Sequence, residues 1–135
     1  MNTVKYAYIE TFGCQMNERD SEIMGQLLSQ ADYSLTSDLD QARVVVVNTC
    51  SIRGKAEQKA MSLLGRLKIA KKKNPGLIVA VTGCVAQQEG ARLRERMPYV
   101  DLVVGPQSIY RLPELIGNFE LDGTEAIATE QSADF

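Results

Sequence analysis

The sequence predicts an α/β fold, a three-layer sandwich with a mostly parallel sheet of four or five strands in the flavodoxin-like order 2-1-3-4. Short apolar segments alternate with longer segments of helical periodicity along the 135-residue chain. The four consecutive valines at 44–47 are typical of a parallel strand that is buried on both faces. Hydrophobic residues make up 44% of the chain and charged residues 24%, which is usual for one globular domain.

The first strand is predicted at 4–9, where apolar residues alternate and two tyrosines occur. A helix is predicted at 17–31, because apolar residues recur there at helical spacing. Asn17 is the predicted N-cap of this helix, and Asp20 three residues later makes the segment a near-match to a capping box. The valines at 44–47 form the second predicted strand.

The remaining elements follow the same alternation. They are predicted as helix 55–73, strand 77–82, helix 86–96, strand 102–104 and helix 108–116. Pro75 and Gly76 end the first of these helices, since proline cannot continue a helix and glycine suits a turn. Pro113 lies inside the last helix, which is therefore expected to be short or bent. Residues 126–129 could add one edge strand.

Charge is distributed unevenly along the chain. Residues 120–135 contain five acids and no base, so 1–119 is predicted as the folded domain and 120–135 as an acidic linker. Eight of the fifteen bases lie between Arg53 and Lys73. A solvated helix face is favoured here over contact with RNA.

No apolar run approaches the ~20 residues of a membrane helix, and the start lacks a signal-peptide pattern, so a cytoplasmic protein without a membrane partner is expected.

The three cysteines occupy equivalent places in the predicted fold. Cys14, Cys50 and Cys84 follow the first, second and third strands, and glycine precedes Cys14 and Cys84. Parallel strands share one carboxyl edge, and the predicted order places strand one between the other two. The cysteines should therefore meet at the crevice where α/β sheets bind ligands.

Thiolates suit an iron–sulfur cluster, zinc or Cu(I), and three ligands leave one coordination position open. A shared metal site is therefore favoured. Cysteines that merely pack, or that act as a catalytic thiol, remain alternatives. The chain has no histidine, which excludes an internal Cys–His or Ser–His pair. It also lacks the glycine-rich loops of nucleotide sites.

Three segments around the cysteines resemble the N-terminal domain of the methylthiotransferases, a subgroup of radical S-adenosylmethionine enzymes. They read Thr-Phe-Gly-Cys-Gln-Met-Asn at 11–17, Asn-Thr-Cys-Ser-Ile-Arg at 48–53 and Gly-Cys-Val-Ala-Gln at 83–87. The resemblance covers about residues 3–119. The residues after the first two cysteines resemble the tRNA-modifying branch, which adds a methylthio group to C2 of isopentenyl-adenosine next to the anticodon.

The resemblance implies that Cys14, Cys50 and Cys84 hold one auxiliary [4Fe–4S] cluster, whose open iron site carries the sulfur to be inserted. Four residues are expected to shape the pocket: Gly13, Asn48, Thr49 and Gly83. Two more residues are expected to hold the cysteine ligands in place without binding the cluster themselves: Asn17 and Arg53. A non-catalytic RNA-interaction module whose cysteines pack, and a stand-alone thiol enzyme, are the alternative functions.

The family's second cluster, which cleaves S-adenosylmethionine, needs a Cys-x-x-x-Cys-x-x-Cys motif that this sequence lacks. The isolated chain is therefore expected to be an inactive fragment. S-adenosylmethionine and the second cluster are expected only in the full-length enzyme. The implied partners are the tRNA anticodon arm and the radical and TRAM domains of the same polypeptide.

Overall fold

A parallel sheet forms the middle layer of the protein. The computed structural model describes residues 4–12, 15–49 and 55–128. Within this part of the chain the sheet has six strands: β1 (Lys5–Phe12), β2 (Tyr33–Leu35), β3 (Val44–Thr49), β4 (Ile78–Gly83), β5 (Leu102–Val104) and β6 (Ala126–Ala128). Their order is β2-β1-β3-β4-β5-β6, and every neighbouring pair is parallel.

Helices cover both faces of the sheet. They are α1 (Gln15–Gln30), α2 (Lys55–Lys73), α3 (Cys84–Glu89), α4 (Ala91–Arg96) and α5 (Leu112–Asp122). The helices α1 and α5 pack on one face, where Met24, Leu28 and Ile116 are buried. The other face is covered by α2, α3 and α4, which contribute buried residues such as Leu67 and Leu93. The predicted three-layer α/β sandwich is confirmed.

The flavodoxin-like order is confirmed, but the sheet has six strands rather than four or five. Strand β2 was not predicted, because it has only three residues and two of them, Ser34 and Leu35, are exposed. Its presence corrects one detail. The strand before Cys14 does not lie between the other two cysteine-bearing strands; β3 lies between β1 and β4.

Three of the predicted helices have other boundaries in the structure. Helix α1 begins at Gln15, so Asn17 lies in its first turn and is not the N-cap. The helix predicted at 86–96 is divided into α3 and α4 by Gly90, whose φ is +49°. The last helix begins at Leu112, after the 3₁₀ segment Pro106–Arg111, so that Pro113 falls in its first turn, where proline is tolerated.

Residues beyond 119 take part in the fold. Helix α5 continues to Asp122, and β6 confirms the expected edge strand by pairing with β5. The folded unit therefore includes residues that the linker prediction for 120–135 left out. The division into a domain and a linker in a longer protein stays a prediction, and 129–135 lie outside the described residues. Among the helices of the described part, none is long and apolar enough to cross a membrane.

Candidate functional site

The carboxyl ends of β1, β3 and β4 lie side by side. Phe12 is the register partner of Thr49, and Thr49 is the partner of Gly83. Because adjacent strands lie about 4.8 Å apart, these three residues fall within about 10 Å of one another. Cys50 follows Thr49 directly in the chain, Cys84 follows Gly83, and one residue separates Phe12 from Cys14. The strand ends that precede the three cysteines in the sequence therefore lie along one short edge of the sheet.

Cys84 is the predicted ligand whose position the structure describes. It is the first residue of α3, and its thiol is free and exposed. Gly13, Cys14, Cys50 and Arg53 lie outside the described residues, so their places in the site stay predictions. Within 4–12, 15–49 and 55–128 no group of three potential metal-binding side chains comes together.

Gly83 marks a very close approach between the ends of β3 and β4. Its φ is +97°, a conformation that L side chains rarely adopt. A Cβ atom added there would overlap the carbonyl oxygen of Thr49 and lie 2.9 Å from Oδ1 of Asn48. Only glycine can therefore occupy this position without moving the backbone that leads into Cys50.

Two buried asparagines connect α1 to the end of β3. The Nδ2 group of Asn48 donates to the backbone oxygen of Asn17 at 2.7 Å and to Oγ of Ser21 at 2.9 Å. In return, Nδ2 of Asn17 donates to Oδ1 of Asn48 at 3.2 Å and to the Thr49 carbonyl oxygen at 3.3 Å. This network fixes the start of α1, just after Cys14, against the last residue before Cys50.

The network belongs to a row of polar residues across the sheet. Thr11, Asn48 and Thr82 are register partners on β1, β3 and β4, whose preceding residues are mostly apolar. Oγ1 of Thr11 lies 2.6 Å from Oγ of Ser21. Thr11, Ser21 and Thr82 were not among the predicted site residues. A change from apolar to polar residues at the same point of three strands is the signal that could have revealed this row.

Two buried hydroxyl groups at this edge have no hydrogen-bond partner among the described residues: Oγ1 of Thr49 and Oγ1 of Thr82. Thr49 is the last residue of β3, which leads to Cys50, and Thr82 is the last but one of β4, which leads to Cys84. An exposed thiol, a backbone approach that only glycine permits and two unpaired hydroxyls fit a bound group at this edge. Thiolate is a soft donor, which suits iron–sulfur clusters.

Two groups, Tyr8 on β1 and Asp20 on α1, have pKa values above their usual ones, which favours their uncharged forms. The hydrogen bond that Tyr8 donates to Glu10, at 2.6 Å, raises the pKa of the Tyr8 phenol, and burial raises it further. Burial also raises the pKa of Asp20 on α1, although the nearby charge of Arg19 lowers it in part. The Tyr8 phenol therefore stays protonated at neutral pH and remains a hydrogen-bond donor to Glu10.

The comparisons with known proteins point in one direction. The model of the Uncharacterized protein family UPF0004 matches residues 6–105. A protein of Enterobacter sp. (strain 638) named tRNA-2-methylthio-N(6)-dimethylallyladenosine synthase is 52% identical over 124 residues, which are 91% of this chain and 26% of that protein. Proteins of the same name from Desulfotalea psychrophila and Mannheimia succiniciproducens are 53% and 56% identical, over 86% and 81% of the chain and 26% and 23% of those proteins. The chain thus spans about a quarter of the length of these relatives.

Proposed function

Because this chain belongs to the protein family UPF0004, we propose that it is the N-terminal, cluster-holding part of a tRNA methylthiotransferase. Its relatives are named for a 2-methylthio product of dimethylallyl-adenosine, which is the isopentenyl-adenosine of the sequence prediction. The proposed reaction adds a methylthio group to C2 of that base beside the anticodon. The proposed setting is the cytoplasm, within a polypeptide that also carries radical and TRAM domains.

The observation that carries this proposal is the register of three strand ends. Phe12, Thr49 and Gly83 lie in one row, and each is followed within two residues by a cysteine. Three thiolates that leave one edge of a sheet can hold one [4Fe–4S] cluster between them. When bound, such a cluster supplies an iron without a protein ligand, at which the sulfur to be transferred can bind.

The neighbouring side chains would hold the cysteine segments in place. Gly83 permits the contact with the Thr49 carbonyl, and Asn17 ties the start of α1 to that same carbonyl. Asn48 holds Asn17 in turn. Arg53, three residues after Cys50, would offset the negative charge of a cluster bound by thiolates.

The second half of the proposed chemistry belongs to the rest of the polypeptide. All three cysteines of this chain are assigned to one cluster, and no Cys-x-x-x-Cys-x-x-Cys motif is present to bind another. We therefore expect the 135-residue chain alone to hold iron but not to methylthiolate tRNA. S-adenosylmethionine and the second cluster would act only in the longer enzyme.

Anaerobic reconstitution with iron and sulfide tests the proposal. The wild-type chain should take up about four irons with the broad visible absorption of a [4Fe–4S] cluster. Replacement of any one cysteine, as in Cys84→Ala, should reduce cluster content strongly, while the control Val85→Ala should leave it unchanged. A wild-type chain that takes up no iron contradicts the proposal. So does iron content that survives each single replacement, which would instead indicate cysteines that only pack.

A further inference from the structure

The basic side chains of α2 are paired differently from those elsewhere in the described fold. Outside α2, six of the seven described lysine and arginine side chains form an ion pair: Lys5, Arg43, Arg92, Arg94, Arg96 and Arg111. Among the described side chains of α2, only Lys71 does so, with Asp101. Five described bases of α2 have no described carboxylate within ion-pair distance: Lys59, Arg66, Lys68, Lys72 and Lys73. Glu57 is the only acid between Asp40 and Glu89 in the sequence, so α2 carries uncompensated positive charge.

One flank of α2 borders a groove of about 520 Å³ against the end of β1; we call it the α2 groove. Phe12 and Leu63 give it an apolar floor, and Lys59 and Arg66 give it two cations. The cations are seven residues apart, or two helical turns, so they lie on the same flank of the helix. Gln58, Ser62 and Glu10 complete the lining with hydrogen-bonding groups.

The α2 groove adjoins the proposed cluster site. Phe12 is two residues before Cys14, so covalent geometry keeps their Cα atoms within about 7 Å. Lys59 lies near the start of α2, which follows the Cys50 segment. A polymer whose reacting base reaches the cysteines would therefore place an adjoining unit in the groove.

We propose that the α2 groove binds a nucleotide of the RNA substrate that adjoins the modified base, with a phosphate against Lys59 and Arg66 and a base against Phe12. This assignment rests on the proposed function, because it takes RNA to be the substrate. Unpaired cations beside an aromatic ring are the combination by which proteins hold single-stranded RNA segments. The volume lies within the range of small-ligand sites.

Glu10 gives the groove an acidic group in addition to its two cations. Its carboxylate accepts the hydrogen bond of the Tyr8 phenol and can also accept one from a ribose hydroxyl or a base amino group. A phosphate placed beside Glu10 would be repelled, so the phosphate lies toward Lys59 and Arg66. The groove thus offers a separate group to each part of a nucleotide.

A docked protein domain is the competing occupant of this face. An interface of that kind excludes charged residues from its centre. The α2 groove instead has Lys59, Arg66 and Glu10 in its lining, with an aromatic ring among them. Charge complementarity therefore favours RNA.

Binding of the 135-residue chain to an anticodon stem-loop RNA that carries isopentenyl-adenosine tests the proposal. The double variant Lys59→Ala/Arg66→Ala should weaken binding about tenfold and lower the slope of log K against log salt by about 0.7, since the contact with one phosphate is lost. The matched control is Lys68→Ala/Lys72→Ala, which removes the same charge from the opposite flank and should change affinity less than threefold. Phe12→Leu should weaken binding severalfold without changing the salt slope.

Each other outcome overturns the assignment. Equal losses in both double variants would indicate attraction by net charge alone. No effect of Lys59→Ala/Arg66→Ala, or no RNA binding by the wild-type chain, would overturn the assignment of the groove to RNA. Circular dichroism of the variants excludes misfolding as the cause. Iron uptake is measured without RNA, so a chain that binds its cluster but fails these tests loses only the groove assignment.

Discussion

At the carboxyl edge of the sheet, the conformation of individual residues depends more on contacts with neighbouring elements than on their intrinsic backbone propensities. Asn48 is fully buried and uses its amide for bonds to Asn17 and Ser21, which are 31 and 27 residues away in the chain. Gly83 is fixed by the Thr49 carbonyl, which belongs to another strand. The geometry of the segments before Cys50 and Cys84 therefore depends on contacts between strands.

The substitution Gly83→Ala should destabilise the fold severely. The new Cβ would overlap the Thr49 carbonyl oxygen at a φ that already disfavours L residues, so we expect a loss of about 3 kcal/mol or more in the free energy of unfolding. Urea denaturation followed by circular dichroism measures this loss. Gly123→Ala is the matched control, because Gly123 is left-handed, with a φ of +73°, but has open space around the Cβ position. It should cost only about 1 kcal/mol. Equal losses at both positions would refute the role of the contact with Thr49.

At the scale of elements, the last turn of α2 is fastened to the sheet by one lysine. Lys71 forms an ion pair with Asp101 and donates to the Leu77 carbonyl oxygen at 2.6 Å. Asp101 also accepts a bond from the backbone of Val79 at 2.9 Å. The prediction of a solvated helix face is therefore wrong for Lys71. This contact sets the position of α2, and hence of the α2 groove at its other end.

Removal of Lys71 should therefore cost far more than removal of its neighbour. In Lys71→Ala the Asp101 carboxylate stays buried without a cation, and we expect a loss of about 3 kcal/mol in the free energy of unfolding. Lys72→Ala removes an exposed lysine and should change stability by no more than about 0.5 kcal/mol. Thermal and urea unfolding of the two variants provide the comparison. Similar stabilities would contradict a fastening role for the pair.

For the whole molecule, the sequence sufficed for the fold class and the flavodoxin-like order, but not for which strands occupy the places in that order. The long apolar strands β3 and β4 and the helical periodicity between them carry that information locally. Strand β2 was not predicted, because an exposed edge strand of three residues has no apolar run. The hydrogen-bond partners of Asn17 and Lys71 were not predicted for another reason. These partners lie about thirty residues away in the sequence, whereas rules for helix ends consider only neighbouring residues.

A second tertiary contact joins opposite parts of the chain at the amino edge of the sheet. The phenol of Tyr33, on β2, donates to Oε1 of Glu120, on α5, at 2.7 Å, and Arg43 approaches the same carboxylate at 3.0 Å. Burial raises the pKa of Tyr33 strongly, and the bond to Glu120 adds to the effect. A tyrosine whose pKa is higher in the folded state stabilises that state fully below about pH 10, and this stabilisation is lost as the pH rises further.

Tyr33→Phe should therefore have an effect that depends on pH. At pH 7 we expect a loss of about 1.5 kcal/mol in the free energy of unfolding, since a hydrogen bond to a charged carboxylate is removed. Above pH 10 the wild-type protein should lose stability more steeply than the variant, because only the wild type must keep Tyr33 protonated. Urea titrations at pH 7, 9 and 11 measure the difference. Tyr110→Phe, which removes an exposed phenol, should follow the wild-type curve. A Tyr33→Phe curve parallel to the wild type at all three pH values would contradict a pH-dependent contribution of Tyr33 to the stability of the fold.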